Sequence, residues 1–475
     1  MTIQTNTREP IGIKKRTKAL AAGLLMAGMM AASLAPAPAA HASTTFTVNA
    51  AFVDDPSDIN LSDSVCDASP DPGSQCTLRA AIEQANATAG SDTIKFNFLT
   101  NGGVATVSPK TALPNITDTV TIDGYSQPGA QPNTQTVGND AVLKVQLSGT
   151  NLGSGATDGL VLQSGNNVVR GLVINRFGSD GIEIRGSGSK IEGNFIGTDP
   201  SGTQDLGNGA SGVNIRGSNN DTVGDGSPGG SNIIAFNGGK GVGIEELPGA
   251  SATGNRVLSN SIFSNDFLGI DLNEDNLTPN DTGDEDVGPN GFQNFPAISS
   301  AKNGTTTTIT GKLNSNPNET YKVQFFSNPS GTDEGKVFVG QKSVTTDASG
   351  NASFTFKTAQ KVAKGRTITT TATDPAGNTS EFSAPKTVGL ATGSDLTPET
   401  LKVRGTSGLT KSPTAHFKFD SPDQEATFEC SLDGGAFYPC SSPENINGLS
   451  EGRHSFLVRA TDEEGNADPS PASWA

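Results

Sequence analysis

The chain has 475 residues, of which 33% are hydrophobic and 17% charged, with a formal net charge of −17. This length predicts several domains. A strongly acidic surface repels nucleic acid and anionic membranes, so we expect neither as a partner, and it disfavours polyanionic substrates unless a cation intervenes.

The N-terminus has the three parts of a secretory signal peptide. The basic stretch Lys14-Lys-Arg16 precedes an apolar run from Ala19 to Leu34, and Ala40-His-Ala42 is a small-residue cleavage site. The apolar run is short for a membrane span, and no other stretch of about 20 apolar residues follows. We therefore expect cleavage near Ala42. Removal of residues 1–42, with five Lys/Arg and one Glu, leaves a secreted chain of charge −21 without a membrane span.

Residues 43–119 are predicted to form an N-terminal cap region. Within it, Leu78, Ala81, Ile82 and Ala85 fall on one face of a short helix. A helix at this place would cover the open end of the repeats that follow.

The pattern glycine, apolar, any residue, apolar occurs six times between Gly159 and Leu272. Alternation at period two predicts a strand with one buried face, and recurrence at 20 to 50 residues predicts a solenoid. We therefore predict a parallel β-helix over residues 120–290. Its core is expected to contain one stacked column made of Leu160, Ile174, Ile184, Ile215, Ile244 and Leu272.

Catalysis in β-helix proteins takes place on the outward side of a sheet. If the apolar residues of the repeat point inward, the residues between them point outward. Four of these are our candidate glycan-binding residues: Glu183, Arg185, Asn214 and Arg216.

Glu245 and Asp271 are the candidate catalytic pair. They are expected diagonally on adjacent coils at roughly 8 Å, a spacing that an inverting glycosidase could use. No polygalacturonase-like signature is present, however, and all three histidines and the single tryptophan lie outside the repeats. Arg216 beside Glu245 is also explained as a solvated cross-coil ion pair. We therefore assign no catalytic residue beyond this candidate pair.

An acidic segment follows the last repeat. Oxygen side chains at the alternate positions Asp271, Asn273 and Asp275 match the first three ligand positions of an EF-hand loop. Asn276 then stands where the glycine of that loop belongs, and Thr282 where its bidentate glutamate belongs. Two interpretations stay open: a solvated acidic loop, and a Ca²⁺ site. The site would be built from Asp271, Asn273, Asp275, Asp281, Asp284 and Asp286. No other cofactor is expected.

From Thr305 onward, longer alternating strands separated by turn clusters predict an antiparallel β-sandwich over residues 296–388. Residues 389–398 have the composition of a linker. Residues 399–475 are predicted to form a second, Ig-like sandwich, because Ala460–Asn466 echoes Ala372–Asn378. The chain stops soon after this motif, which leaves little or no room for a closing strand.

The four cysteines fall into two local pairs, Cys66 with Cys76 and Cys430 with Cys440. In an exported chain, an even count at such short spacing indicates two disulfides. The alternative is one zinc site built from all four thiolates. The hundreds of residues between the pairs argue against it.

The segment Cys76-Thr-Leu-Arg-Ala-Ala81 resembles the CSLREA segment of bacterial secreted β-helix proteins, with Thr77 and Ala80 in place of the family's Ser and Glu. Further stretches that resemble this family are Thr121–Gly129, Gly193–Asp199, Asn290–Pro296 and Thr371–Ser383. The resemblance implies a right-handed parallel β-helix of the pectin-lyase-like class followed by a β-sandwich. The last domain resembles Ig-like repeats of large exported actinobacterial proteins. No settled activity is implied.

We predict a secreted, non-enzymatic extracellular protein: an all-β scaffold of β-helix and Ig-like modules for contact with a surface, a matrix, a glycan or a protein partner. The alternative is an extracellular polysaccharide lyase or glycoside hydrolase that acts from the outer face of the β-helix. In that case Glu245, Asp271, Arg185 and Arg216 would line its groove.

Overall fold

The computed structural model describes residues 43–50, 55–73, 75–153, 155–273, 276–390, 399–406, 408, 411–421, 426–461 and 467–474. The expected signal peptide lies outside these residues, as does the predicted linker apart from residues 389 and 390.

The described part of residues 43–273 contains one α-helix, α1 (Leu78–Ala87), and a succession of short strands. The strands are β1 (Thr45–Val48), β2 (Asp92–Phe96), β3 (Ala105–Val107), β4 (Val120–Asp123), β5 (Val145–Ser148), β6 (Leu160–Leu162), β7 (Val168–Arg170), β8 (Leu172–Asn175), β9 (Ile182–Ile184), β10 (Lys190–Glu192), β11 (Phe195–Ile196), β12 (Val213–Arg216), β13 (Thr222–Asp225), β14 (Ile233–Ala235), β15 (Val242–Glu245), β16 (Arg256–Leu258), β17 (Ser261–Phe263) and β18 (Ile270–Leu272). Short 3₁₀ turns lie at Gly124–Ser126, Gly149–Asn151 and Pro289–Phe292.

These strands form three parallel sheets, which confirms the predicted parallel β-helix. Sheet A has the order β1-β2-β4-β7-β10-β13-β16, sheet B the order β17-β14-β11-β8-β5-β3, and sheet C the order β18-β15-β12-β9-β6. From β6 onward each coil contributes one strand to sheet C, then to sheet A, then to sheet B. A coil cannot bury its own apolar face, so its stability depends on stacking against its neighbours.

The stacked core column was predicted correctly for four of its six residues. In sheet C, Ile184, Ile215, Ile244 and Leu272 are in register and buried. The prediction was wrong for the other two. Leu160 pairs with Ile182 in the next column of the same sheet, and Ile174 belongs to sheet B, where it pairs with Leu147 and Ile196. The same four-residue pattern suits any strand with one buried face, so it does not distinguish sheet B from sheet C.

Buried asparagines at the corners tie successive coils together. The Asn232 Oδ1 accepts the backbone N–H of Asn194 at 2.9 Å, and the Asn260 Oδ1 accepts that of Asn232 at 3.1 Å. A second ladder runs in the same way through Asn208, Asn237 and Asn265. These amides satisfy backbone donors that the turns would otherwise leave buried without a partner.

The segment predicted as a cap supplies strands as well as a helix. Strands β1 and β2 pair in sheet A, and β3 pairs with β5 in sheet B. Helix α1 begins after the N-cap Thr77, whose Oγ1 accepts the Ala80 N–H at 3.1 Å, and its buried face joins the core of the β-helix. Arg79 fixes the helix to neighbouring backbone by donating to the carbonyl oxygens of Asp55, Thr111 and Ala112.

Residues 297–390 form the predicted β-sandwich. Its strands are β19 (Ala297–Asn303), β20 (Thr307–Asn314), β21 (Thr320–Asn328), β22 (Val337–Thr345), β23 (Asn351–Lys357), β24 (Thr367–Thr373), β25 (Lys386–Thr387) and β26 (Gly389–Leu390). They form two sheets, β23-β20-β19-β26 and β22-β21-β24-β25. The pairs are antiparallel except for β19 with β26.

The sandwich covers the C-terminal end of the β-helix. Phe326 and Phe382 belong to the same buried cluster as the β-helix core. The Gln324 Oε1 accepts the Ser259 N–H at 2.9 Å, and the Glu381 Oε1 accepts the Leu272 N–H of the last strand at 3.0 Å. Glu334 continues the second asparagine ladder: its Oε1 lies 2.9 Å from the Asn265 Nδ2.

The last domain contains β27 (Leu401–Gly405), β28 (Thr414–Asp420), β29 (Thr427–Leu432), β30 (Tyr438–Cys440), β31 (Glu444–Asn447), β32 (Phe456–Thr461) and β33 (Ala472–Trp474). Its sheets have the orders β27-β28-β31 and β30-β29-β32-β33. A short closing strand, β33, is therefore present on β32, where the sequence left little or no room for one.

Both predicted disulfides are confirmed. Cys66 is bonded to Cys76, and Cys430 is bonded to Cys440. The alternative of a shared zinc site is wrong, because a disulfide sulfur is no thiolate ligand.

Candidate functional sites

The outer face of sheet C is the first candidate site, and the register there agrees with the predicted one. Glu183, Asn214, Gly243 and Asp271 lie in one column of successive strands. Glu245 is opposite Arg216 in the neighbouring column. The sequence-predicted residues therefore share one face.

Two guanidinium groups cover the carboxylate of Glu183. The Arg185 Nε and Nη2 each lie 2.9 Å from one of its oxygens, and the Arg216 Nη1 lies 3.3 Å from its Oε1. The Glu183 side chain is only 2% exposed. A bidentate guanidinium–carboxylate pair is a strong and geometrically fixed interaction.

Glu245 is held in the same network. The Arg216 Nε lies 2.8 Å from the Glu245 Oε1, and the Asn214 Nδ2 lies 3.2 Å from it. Asp271, the other member of the candidate pair, is buried opposite Gly243. The pair thus lies on adjacent strands, with Glu245 bound to an arginine.

Asp180 is a residue of this face that the sequence analysis missed. Its Oδ2 accepts a hydrogen bond from the Asn214 Nδ2 at 3.1 Å, and its Oδ1 accepts one from the Ser211 N–H at 2.7 Å. Burial raises the pKa of Asp180 to about 6, against the opposing effect of these hydrogen bonds. Its place directly before the repeat glycine Gly181 was the available signal.

The second candidate site is a cluster of three aspartates between the β-helix and the sandwich. Asp281, Asp284 and Asp286 each present a carboxylate oxygen, and these oxygens lie within 4.8 Å of one another. The structure thus brings together three of the six predicted metal ligands. Asp271 is not in the cluster, because the chain leaves sheet C at Leu272 and carries the later aspartates to the sandwich. Asp275 lies outside the described residues.

The sandwich and the Asn290–Pro296 segment fix the position of this cluster. Asp284 accepts hydrogen bonds from the Gln293 Nε2 at 2.7 Å, the Asn294 N–H at 2.8 Å and the Ser315 hydroxyl. Burial raises the pKa of Asp284 to about 6, and the charges of Asp286 and Asp281 add to the effect. Burial and the charge of Asp281 likewise raise the pKa of Asp286.

The third candidate site lies on the outer face of sheet B. This face is apolar, and Tyr125, Ala141 and Leu143 pack on it. Beyond them, a cavity of about 400 Å³ opens between the 133–139 loop, the last coils and the start of β22. Phe236 and Phe263 line it. The sequence contains a sign that the outer face of sheet B is apolar, since Ile233-Ile-Ala235 is apolar on both faces of the strand instead of alternating.

Of the helices in the described part of the chain, none has the length and apolar content that a membrane crossing requires.

Comparisons with known proteins give no family. No protein-family model matches the chain, and no curated protein matches it. Among solved structures, dimeric latent PorU from Porphyromonas gingivalis is similar over 38% of this chain and 23% of its own length, at 13% identity and a TM-score of 0.14. This chain therefore aligns with less than a quarter of PorU. A likeness at this TM-score carries no argument about fold or function.

Proposed function

We propose that this protein is a secreted, non-enzymatic scaffold whose β-helix and sandwich domains present their surfaces to an extracellular glycan or protein partner. Ig-like character of the sandwiches and relationship to the CSLREA-type β-helix proteins are part of this proposal. Both rest on the sequence motifs. The two disulfides fit an oxidising, extracellular environment.

One observation carries the non-enzymatic proposal: the arginines on sheet C engage two of its carboxylates, those of Glu183 and of Glu245, the latter a member of the candidate catalytic pair. A glycosidase needs one carboxyl to donate a proton and another to attack or to activate water. Here Glu183 is covered by Arg185 and Arg216, and Glu245 is bound to Arg216 and Asn214. Side chains fixed to one another in this way stabilise the stack of coils instead of awaiting a substrate.

The junction between β-helix and sandwich supports a role as a scaffold. The sandwich shares the apolar core of the β-helix and continues one of its ladders, so the two parts form a continuous hydrogen-bonded body. Such a body holds surfaces at fixed distances from one another.

The alternative function, a polysaccharide lyase or glycoside hydrolase, has one observation in its favour. Asp180 carries a raised pKa of about 6 on the same face as Glu245, and both accept from the Asn214 amide. Perturbed carboxyl pKa values are common in active sites, but they also occur in structural networks.

The test is a glycan-array screen followed by reducing-end and unsaturated-product assays on every glycan that binds. The scaffold proposal expects binding without product. Product formation that is lost in Glu245→Gln and in Asp271→Asn, with an unchanged melting temperature, would establish the enzyme instead. An exposed residue of a nearby turn, Glu246→Gln, is the matched control.

We also propose that the aspartate cluster binds Ca²⁺, which prefers carboxylate and carbonyl oxygens. The proposal rests on the convergence of Asp281, Asp284 and Asp286 and on the mutual repulsion of their charges, which adds to the effect of burial in raising the pKa values of the last two. A divalent cation would offset this repulsion and stabilise the segment that connects the last coil to the sandwich.

Binding to the folded state alone stabilises it by about 2.7 kcal/mol at a hundred times the Kd. We therefore expect the melting temperature to rise in millimolar CaCl₂ more than in NaCl of matched ionic strength. Asp281→Asn combined with Asp286→Asn should remove the difference, whereas Glu285→Gln, an exposed neighbour, should keep it. Equal shifts in both salts would mean that the loop is only a solvated acidic linker.

A further inference from the structure

The cavity on sheet B is built from three separate parts of the chain. Its walls come from the loop around Asn133, from the last coils at Phe236 and Phe263, and from Lys336–Phe338 at the start of strand β22 in the sandwich. Asn133 fixes the loop to a later coil by donating to the Pro228 carbonyl, between β13 and β14, at 3.1 Å. Its volume of about 400 Å³ lies within the range of small-molecule sites.

The polar groups of this cavity are largely engaged with the protein itself. The Ser261 hydroxyl donates to the Lys336 carbonyl at 2.6 Å, and the Ser231 hydroxyl donates to the Ser259 carbonyl at 2.7 Å. Both ends of the Asn260 amide are used in the first asparagine ladder. A sugar needs partners for several hydroxyl groups. The lining side chains of Gln135, Thr136 and Ser264 make no hydrogen bond within the described part of the chain, but all three are exposed to solvent. The cavity therefore suits a ligand with an apolar body.

The phenylalanine rings in the cavity favour a ligand whose apolar part is aromatic. Phe236 and Phe263 meet edge to face with ring centroids 5.5 Å apart, and Phe338 lies on the sandwich side of the cavity. An aromatic pair in edge-to-face or offset-stacked geometry is more favourable than its buried area alone accounts for. An aromatic ligand would extend this cluster.

Lys336 determines the charge of the ligand. Among the described residues that line the cavity it is the only charged one, and its Nζ lies 4.1 Å from the centroid of the Phe263 ring. Within the described part of the chain, its ammonium group has no carboxylate in ion-pair contact, although the whole protein is strongly acidic. A ligand carboxylate would supply the missing partner beside an apolar wall.

We propose that this cavity binds a small aromatic carboxylate, with its ring against Phe236, Phe263 and Phe338 and its carboxylate at the Lys336 ammonium. This site is independent of the sheet C face and adds a small-molecule ligand to the proposed scaffold.

The test is calorimetric titration of the full mature chain with three probes: 2-naphthoate, the neutral analogue 2-naphthamide, and glucuronate as a non-aromatic sugar acid. We expect 2-naphthoate to bind, 2-naphthamide to bind about fivefold more weakly, and glucuronate not to bind. Lys336→Gln should make the two naphthyl probes equal. Lys312→Gln, an exposed sandwich lysine outside the cavity, should behave as the wild type.

A second variant tests the aromatic wall. Phe263→Leu keeps an apolar side chain, and it should weaken both naphthyl probes while the melting temperature shows that the domain is folded. The proposal is overturned if 2-naphthoate does not bind, if glucuronate binds more tightly, or if the preference for the carboxylate survives in Lys336→Gln.

Discussion

The substitution Glu334→Gln should stabilise the protein at neutral and alkaline pH. Glu334 is the last rung of the second asparagine ladder, and burial raises its pKa from the ordinary 4.5 to about 6. A protonated carboxyl and a carboxamide have the same shape and one carbonyl acceptor each. The glutamine should therefore replace the protonated form of Glu334 and never ionise.

The magnitude follows from the pKa shift. A shift of one unit corresponds to about 1.4 kcal/mol, so ionised Glu334 makes the fold about 2 kcal/mol less stable than the protonated form does. The pKa of Glu334 is higher in the folded protein than in the unfolded chain. The contribution of protonated Glu334 to the free energy of unfolding is therefore fully present below pH 4.5 and is lost as the pH rises through about 6. Glu334→Gln should match the wild type at pH 4 and exceed it by about 2 kcal/mol at pH 8, or roughly 3 °C in Tm.

Urea denaturation followed by far-UV circular dichroism at pH 4 and pH 8 measures this difference. Trp474 is the single tryptophan and lies in the last domain, so its fluorescence transition should be the same in both proteins. Glu246→Gln, an exposed residue of a β-helix turn, should show no pH-dependent difference. A variant less stable than the wild type at pH 8, or offset equally at both pH values, would refute the reasoning.

Three further variants test the buried amides, the packing at the junction and one disulfide. Asn237→Ala removes a fully buried rung that donates to the Asn265 Oδ1 at 2.9 Å, and it should cost about 3 kcal/mol in urea denaturation; a cost below about 1 kcal/mol would contradict this. Phe382→Ala opens the covered end of the β-helix, and we expect a loss of about 3 to 5 kcal/mol with faster proteolysis of the last coil; unchanged proteolysis would contradict it. Cys430→Ser with Cys440→Ser removes the crosslink of a short loop and should cost the last domain about 3 kcal/mol in its tryptophan fluorescence transition. An unshifted transition would mean that the crosslink contributes nothing there.

The sequence predicted the β-helix and the register of sheet C because strand side chains alternate and each coil repeats the same pattern. Glu183, Asn214 and Asp271 therefore fall in one column, as expected. The pattern is local, however, and it does not say which sheet a strand joins. Ile174 was placed in the wrong sheet for this reason.

Side-chain contacts across coils and between domains could not be predicted in the same way. The register placed Glu183 outward, but its burial depends on how far Arg185 and Arg216 reach over it. The cavity on sheet B depends on Lys336, which the docked sandwich brings to Phe263 over more than seventy residues of chain. Such contacts depend on how distant parts of the chain pack together, and a periodic sequence pattern does not predict this packing.

Because the asparagine ladders repeat from coil to coil, the β-helix can differ in length by whole coils. The repeats at Gly212, Gly241 and Gly269 begin successive coils 29 and 28 residues apart, and each passes the same hydrogen bonds to the next. Duplication or loss of one whole coil would leave each remaining asparagine hydrogen-bonded to the next, because the N-terminal helix and the sandwich would still cap the two ends of the stack. The distance between the N-terminal helix and the sandwich can thus be lengthened or shortened in steps of about 4.8 Å. An insertion of any other length within a coil would have to form a loop at a corner. The distance between the N-terminal helix and the sandwich would then stay unchanged.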